Sequence, residues 1–168
     1  MESCFCLIYN SGEIRRNEGS VLDEVDYKLL RALCGDARLS FRALSQQVHL
    51  TPPAVANRVA QLEQSGVLCG YRAKLDPERC GYPLTALISL SMAPAREAEF
   101  ADFVAGRAEV WDCWHVAGPF AMVLRAGFAD TRAMDRFVKL LQTFGKTQTQ
   151  IIFSAVKEAP VLPAPQAK

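Results

Sequence analysis

The sequence predicts an α+β protein: a three-helix amino-terminal unit, then a sheet unit ordered βαββαβ. Apolar residues recur at helical spacing between residues 23 and 64, with a capping residue ahead of each run. From Leu84 the spacing changes to alternation, the period of a half-buried strand. Two further helical stretches are then interleaved with three more strand-like ones, of which the run from Phe120 to Phe128 also alternates.

The first helix is signalled by Asp23 in a capping position, by Asp26 three residues on, and by Val25, Leu29, Leu30 and Leu33 on one face; it should stop near Gly35. Ser40 is the next N-cap, for a helix from Phe41 to about Val48 with Leu44 and Val48 facing inward. After a break at His49-Leu50, Thr51 caps a third helix, and Pro52 and Pro53 suit its first turn because proline lacks only an N–H that would be orphaned there. Val55, Val59 and Leu62 form its buried stripe.

Removing that stripe leaves Ala54, Asn57, Arg58, Gln61 and Gln64 on the outer faces, a set without acids. Arg can fork to guanine O6 and N7, Asn or Gln can pair with adenine N6 and N7, and Ala can touch a thymine methyl. Two short helices joined by a tight turn, the second polar outside, match a helix-turn-helix.

In the second half, Leu84, Ala86, Ile88, Leu90 and Met92 alternate with Thr85, Ser89 and Ser91, and Leu87 alone interrupts the polar side. Pro94 opens a helix with Phe100, Phe103 and Val104 on one face, ending near Gly106. A strand from Val110 to Ala117 and an alternating run from Phe120 to Phe128 flank Gly118-Pro119 and read as a hairpin. Asp130 or Thr131 caps a helix with Met134, Phe137, Val138 and Leu141 inward, and a last strand is expected around Thr149 to Val156. This is the ferredoxin-like order. Its helices cover one sheet face only, so the other needs water or a partner; Trp111, Ile152 and Val156 favour a partner, and a homodimer is expected.

Composition narrows the function. Of 168 residues half are hydrophobic, which specifies a packed core, in one ordinary domain or two small ones. The run Cys4 to Tyr9 lacks a basic flank and is too short for a signal sequence or membrane span, so a cytoplasmic protein without a membrane partner is expected. The six cysteines are scattered with no C-x-x-C pair, so buried or free thiols are expected, and no metal or cofactor. Residues 23–75 carry seven Lys/Arg against five Asp/Glu, while residues 76–168 carry ten of each. That imbalance permits DNA binding but excludes a protein that coats DNA by charge alone.

From Leu22 to Tyr71 the chain resembles the Lrp/AsnC family of transcription regulators. The residues in register are the opening Leu22-Asp23 with Asp26, Leu39-Ser40, Leu44-Ser45, Arg58-Val59, Leu62-Glu63 and Gly66-Val67-Leu68. The resemblance implies a sequence-specific regulator and not an enzyme, with double-stranded DNA and a small effector, an amino acid or related metabolite, as partners. It implies a linking strand near Gly70 to Leu75, a carboxy-terminal domain that dimerises and senses the effector, and assembly to a tetramer or octamer. The resulting division is an arm at 1–22, a DNA-binding domain at 23–69, a linker at 70–83, the ferredoxin-like domain at 84–158 and a proline-rich tail at 159–168. His49 stands where the family commonly has glycine, and is among the residue types that tolerate a positive φ.

On this reading Thr51, Pro53, Ala54, Asn57, Arg58 and Gln61 lie at or near the bases, and Ser40 and Arg42 touch phosphate. Gly118, Pro119, Phe120, Ala121 and Met122 form the implied effector segment, with Thr149 facing the same interface. Many relatives place an aspartate at position 121. Alanine there removes a partner for an amino acid's ammonium group, which favours an unusual effector, or none in an architectural DNA-binding protein. Cys113 and His115, two apart on one strand face, could meet as nucleophile and base, but with no orienting acid in view they read as packing residues.

Overall fold

The structure, a computed structural model, describes residues 22–158. Readings made on the arm before Leu22, on Cys4 and Cys6, and on the tail from Ala159 lie outside the described residues. The described chain divides into two compact units, residues 22–73 and Lys74–Val156.

The first unit holds α1 (Glu24–Gly35), α2 (Phe41–Val48) and α3 (Pro52–Gln64). Each begins where a side chain satisfies an orphaned backbone N–H: Asp23 accepts from Asp26, Ser40 from Ala43 and Thr51 from Ala54. Leu29 and Leu33 of α1, Leu44 and Val48 of α2, and Val55 and Val59 of α3 form a single core, with Leu29, Leu44 and Val55 fully buried. The turn between α2 and α3 is set by His49 in the left-handed conformation, φ 55°, whose amide donates to the Ser45 carbonyl. Residues 70–75 are exposed and pair with no strand among the described residues, so the segment of the expected linking strand has no ladder partner within this chain.

The second unit is a four-stranded antiparallel sheet of β1 (Leu84–Met92), β2 (Val110–His115), β3 (Met122–Phe128) and β4 (Gly145–Ile152), in the order β2-β3-β1-β4. Helices α4 (Glu97–Ala105), entered through a 3-10 turn at Pro94–Arg96, and α5 (Thr131–Gln142) cover one face. The alternation decides which face: Ala86, Ile88 and Leu90 of β1 and Met122, Leu124, Ala126 and Phe128 of β3 are buried against Phe100, Val104, Phe137 and Leu141.

Strand ends differ from the hydrophobic reading. β2 stops at His115 and β3 starts at Met122, leaving six residues between them, of which the Val116–Ala121 hydrogen bond encloses the middle four. The last strand starts at Gly145, four residues before Thr149, and ends at Ile152, leaving Val156 outside it. Its polar run Lys146 to Gln150 pairs because β1 has an unsatisfied edge opposite β3, and edge pairing needs backbone groups, not apolar side chains. A Cβ on Gly145 would lie 1.9 Å from the Ser91 carbonyl oxygen, so that close approach admits only glycine.

Candidate nucleic-acid interface

On α3 the apolar stripe is spent on the core, so what remains outward is set by sequence alone. Thr51, Pro53, Asn57, Gln61 and Gln64 are exposed, and Ala54 is half-buried. Thr51 Oγ1 accepts from the Ala54 amide at 3.4 Å, which fixes the start of the helix while leaving the hydroxyl proton free to donate. The one acid of α3, Glu63, lies in its last turn and accepts a hydrogen bond from the Tyr71 hydroxyl at 2.8 Å. Local desolvation of the hydroxyl, together with that bond, pushes the Tyr71 phenol up to about 12.

On α2, Ser40 Oγ accepts from Ala43 at 3.2 Å, and the exposed Arg42 makes no ion pair among the described residues. Arg38, which helical spacing does not single out, is likewise exposed, and its guanidinium has no partner among the described residues; its place two residues ahead of the Ser40 cap is the available signal. A protein reaching phosphates from a helix start uses such groups.

Arg58 departs from the expectation. Helical spacing puts it on the outer face as a base reader, yet its guanidinium turns back to α1: Nη1 lies 2.7 Å from Asp23 Oδ2 and 2.8 Å from Asp26 Oδ1. These are the carboxylates of the α1 capping box. The spacing of α3 alone could not reveal this, since the partners lie more than thirty residues away. Their bonds raise the Arg58 pKa, Asp26 contributing most.

In the second unit the implied effector segment closes the β2–β3 hairpin. Val116 N–H donates to the Ala121 carbonyl at 2.9 Å and Ala121 N–H donates to Leu90 at 3.0 Å, so the Ala121 backbone is fully engaged. Gly118, at φ 146°, occupies a conformation reserved for glycine. Pro119 is exposed and Phe120 half-buried. Met122 is 3 % exposed and its side chain packs into the helix-side core. Thr149 sits mid-strand opposite Ile88, on the helix-facing side and not at a strand start.

A family model for the AsnC-type helix-turn-helix domain matches residues 22–63, and one for the Lrp/AsnC ligand binding domain matches residues 85–162. The chain belongs to the Lrp/AsnC family. Among Lrp/AsnC relatives, an uncharacterised HTH-type transcriptional regulator of Pyrococcus abyssi is 33% identical over 82% of this chain and 96% of its own. The leucine-responsive regulatory protein of Haemophilus influenzae is 31% identical over 88% of this chain and 95% of its own. A transcriptional regulator of Neisseria meningitidis, solved in complex with L-Met, superposes with a TM-score of 0.78 at 34% identity, covering 84% of this chain and 96% of that one.

As a Lrp/AsnC protein the chain is a DNA-binding helix-turn-helix transcription regulator with a ligand-binding domain, and not an enzyme. The Cys113 and His115 pair agrees with that: Cys113 packs against the core, and burial pushes its thiol up to about 11, away from thiolate chemistry. His115 faces Glu97, its Nε2 4.0 Å from a carboxylate oxygen, at the exposed end of β2. Among the described residues no cluster of three metal-ligating side chains exists, and no helix is long and apolar enough to cross a membrane.

Proposed function

We propose that α3 is the recognition helix of a sequence-specific regulator, entering the major groove with Thr51, Pro53, Ala54, Asn57 and Gln61 at or near base edges, while Ser40 and Arg42 hold phosphates. The carrying observation is that the outward faces of α3 present hydroxyl and amide groups, while its one acid sits at the far end, engaged by Tyr71. Two copies joined through the open face of the sheet would place two such helices in successive grooves of a pseudo-palindromic site. Half-buried Leu87 and Val123 and the exposed Trp114 on that face support a homodimer, with assembly to a tetramer or octamer following the family. Selection from a randomised duplex library, followed by footprinting, tests the reading. A two-fold symmetric motif is expected, and Asn57→Ala should cost about 1–3 kcal/mol on it. Enrichment of no motif sinks the assignment.

The effector would bind at the hairpin of residues 117–121, where Gly118 bends the backbone and no side-chain carboxylate is supplied at Ala121. The Neisseria relative was solved with L-Met, which makes methionine the first ligand to titrate. Heat on mixing, together with an altered footprint, supports an amino-acid effector. The missing carboxylate favours a second reading, an architectural protein without effector control; a footprint unmoved by every amino acid would select it.

A further inference from the structure

The Arg58 arrangement carries an inference beyond the recognition-helix reading on which it rests. The two α1 carboxylates divide their oxygens between two tasks. Asp23 Oδ1 accepts from the Asp26 amide at 2.8 Å, and Asp26 Oδ2 accepts from the Asp23 amide at 3.1 Å, which together close the capping box. The remaining oxygens, Asp23 Oδ2 and Asp26 Oδ1, both accept from Arg58 Nη1, whose two protons are thereby used. One guanidinium against two carboxylates leaves the locus with a net charge of −1, which repels a phosphate or the acceptor edge of guanine. The same three residues join the start of α1 to the middle of α3, and only a third of the Arg58 side chain is exposed.

We propose that Arg58 is a positioning residue, clasping α3 to the amino end of α1 and so setting how the recognition helix is presented to DNA, and that it reads no base itself. Asn57 and Gln61, which flank it in sequence on exposed positions, then carry the readout. The clasp acts on every sequence alike, because it fixes the helix and not a base contact.

Selection of the full chain against a randomised duplex library, with affinities measured on the recovered sites and their single-base variants, tests this. Arg58→Ala should weaken binding to every variant by a common factor, on the order of tenfold, with the base preference at each position unchanged. Arg58→Lys, which keeps an ammonium donor between the carboxylates, should recover most of that loss with the same preferences. Asp26→Asn, which frees one arm of the clasp, should weaken binding in the same uniform way, and Asp26→Asn with Arg58→Ala together should be no worse than the worse single variant. Loss of preference at one base pair in Arg58→Ala, or tighter binding by Asp26→Asn, would overturn the proposal, since a base-reading arginine gains from losing a neighbouring anion. If Arg58→Ala fails to fold, the Lys and Asn variants decide alone. A wild type that enriches no motif fails the recognition-helix reading itself and takes the clasp's role with it, whereas a recovered motif with a single lost preference fails only the clasp.

Discussion

The indole of Trp111 fills the space that a Cβ on Gly127 would need: its Cζ2 and Cη2 would lie 2.1 and 2.6 Å from such an atom. Gly127 sits on β3 with its neighbours Ala126 and Phe128 turned to the helix side, so Trp111 lies across the opposite, open face of the sheet. Tyr82 meets the same indole edge-on with centroids 5.7 Å apart, and the Arg125 guanidinium lies 5.9 Å from it while bound to Asp112. Gly127→Ala must therefore expel the ring or bend the strand. Overpacking of this kind costs about 1–3 kcal/mol, so the melting temperature should fall. In a Trp114→Phe background the emission of Trp111 should shift to the red. Unchanged emission and melting would show that the indole is not held there.

His49 is the one described non-glycine residue with positive φ, and it holds that conformation where α2 hands over to α3. A left-handed backbone costs a residue with a Cβ roughly 1–2 kcal/mol, part of which glycine forfeits through its looser unfolded chain. His49→Gly should stabilise the helix-turn-helix unit by roughly 0.5–1 kcal/mol, and a β-branched residue such as Val should destabilise it by more. Urea unfolding followed by helical circular dichroism reads both signs. Equal midpoints for Gly, His and Val would mean that the turn relaxes to another conformation.

The caps and stripes of the three amino-terminal helices were legible because local chemistry decides them: Asp23, Ser40 and Thr51 cap as read, and Leu29, Leu44, Val55 and Val59 are core. The strand ends were not. Lys146 to Gln150 carry no apolar alternation, and only the free edge of β1, a tertiary fact, makes them a strand. At the interface the outward placement of Asn57 and Gln61 followed from helical spacing, whereas the turn of Arg58 toward α1 did not, because a long side chain at one helical position can reach water or a neighbouring helix with equal ease. The burial of Met122, by contrast, was legible in its alternation with Leu124 and Ala126.

Asp23 ties stability to acid pH. Burial works to raise its pKa, but the Asp26 amide and the Arg58 guanidinium together outweigh it and hold the carboxyl below the ordinary value of 3.8. A carboxyl depressed in the folded state stabilises the fold above its unfolded pKa, and that contribution fades as pH falls through the lower folded value. The urea midpoint should therefore drop more steeply below about pH 4 in the wild type than in Asp23→Asn, which lacks the titrating group. Since the side chain is 47% exposed, solvent screening keeps the effect small. Parallel curves for the two proteins would remove Asp23 from the acid response.

Thiol reactivity should separate Cys113 from the exposed Cys69 and Cys80 on one physical ground. Desolvation by the core pushes its thiol to about 11, whereas Cys69 and Cys80 are exposed. At pH 8 the thiolate fraction of a group at 11 is about one in a thousand, and the thiolate is the nucleophile. Iodoacetamide at that pH should label Cys69 and Cys80 within the first minutes, as read by peptide mass spectrometry, and reach Cys113 only when urea opens the core. Early labelling of Cys113 in the native protein would mean that β2 does not pack as described, because burial against the core is what raises the pKa of the thiol.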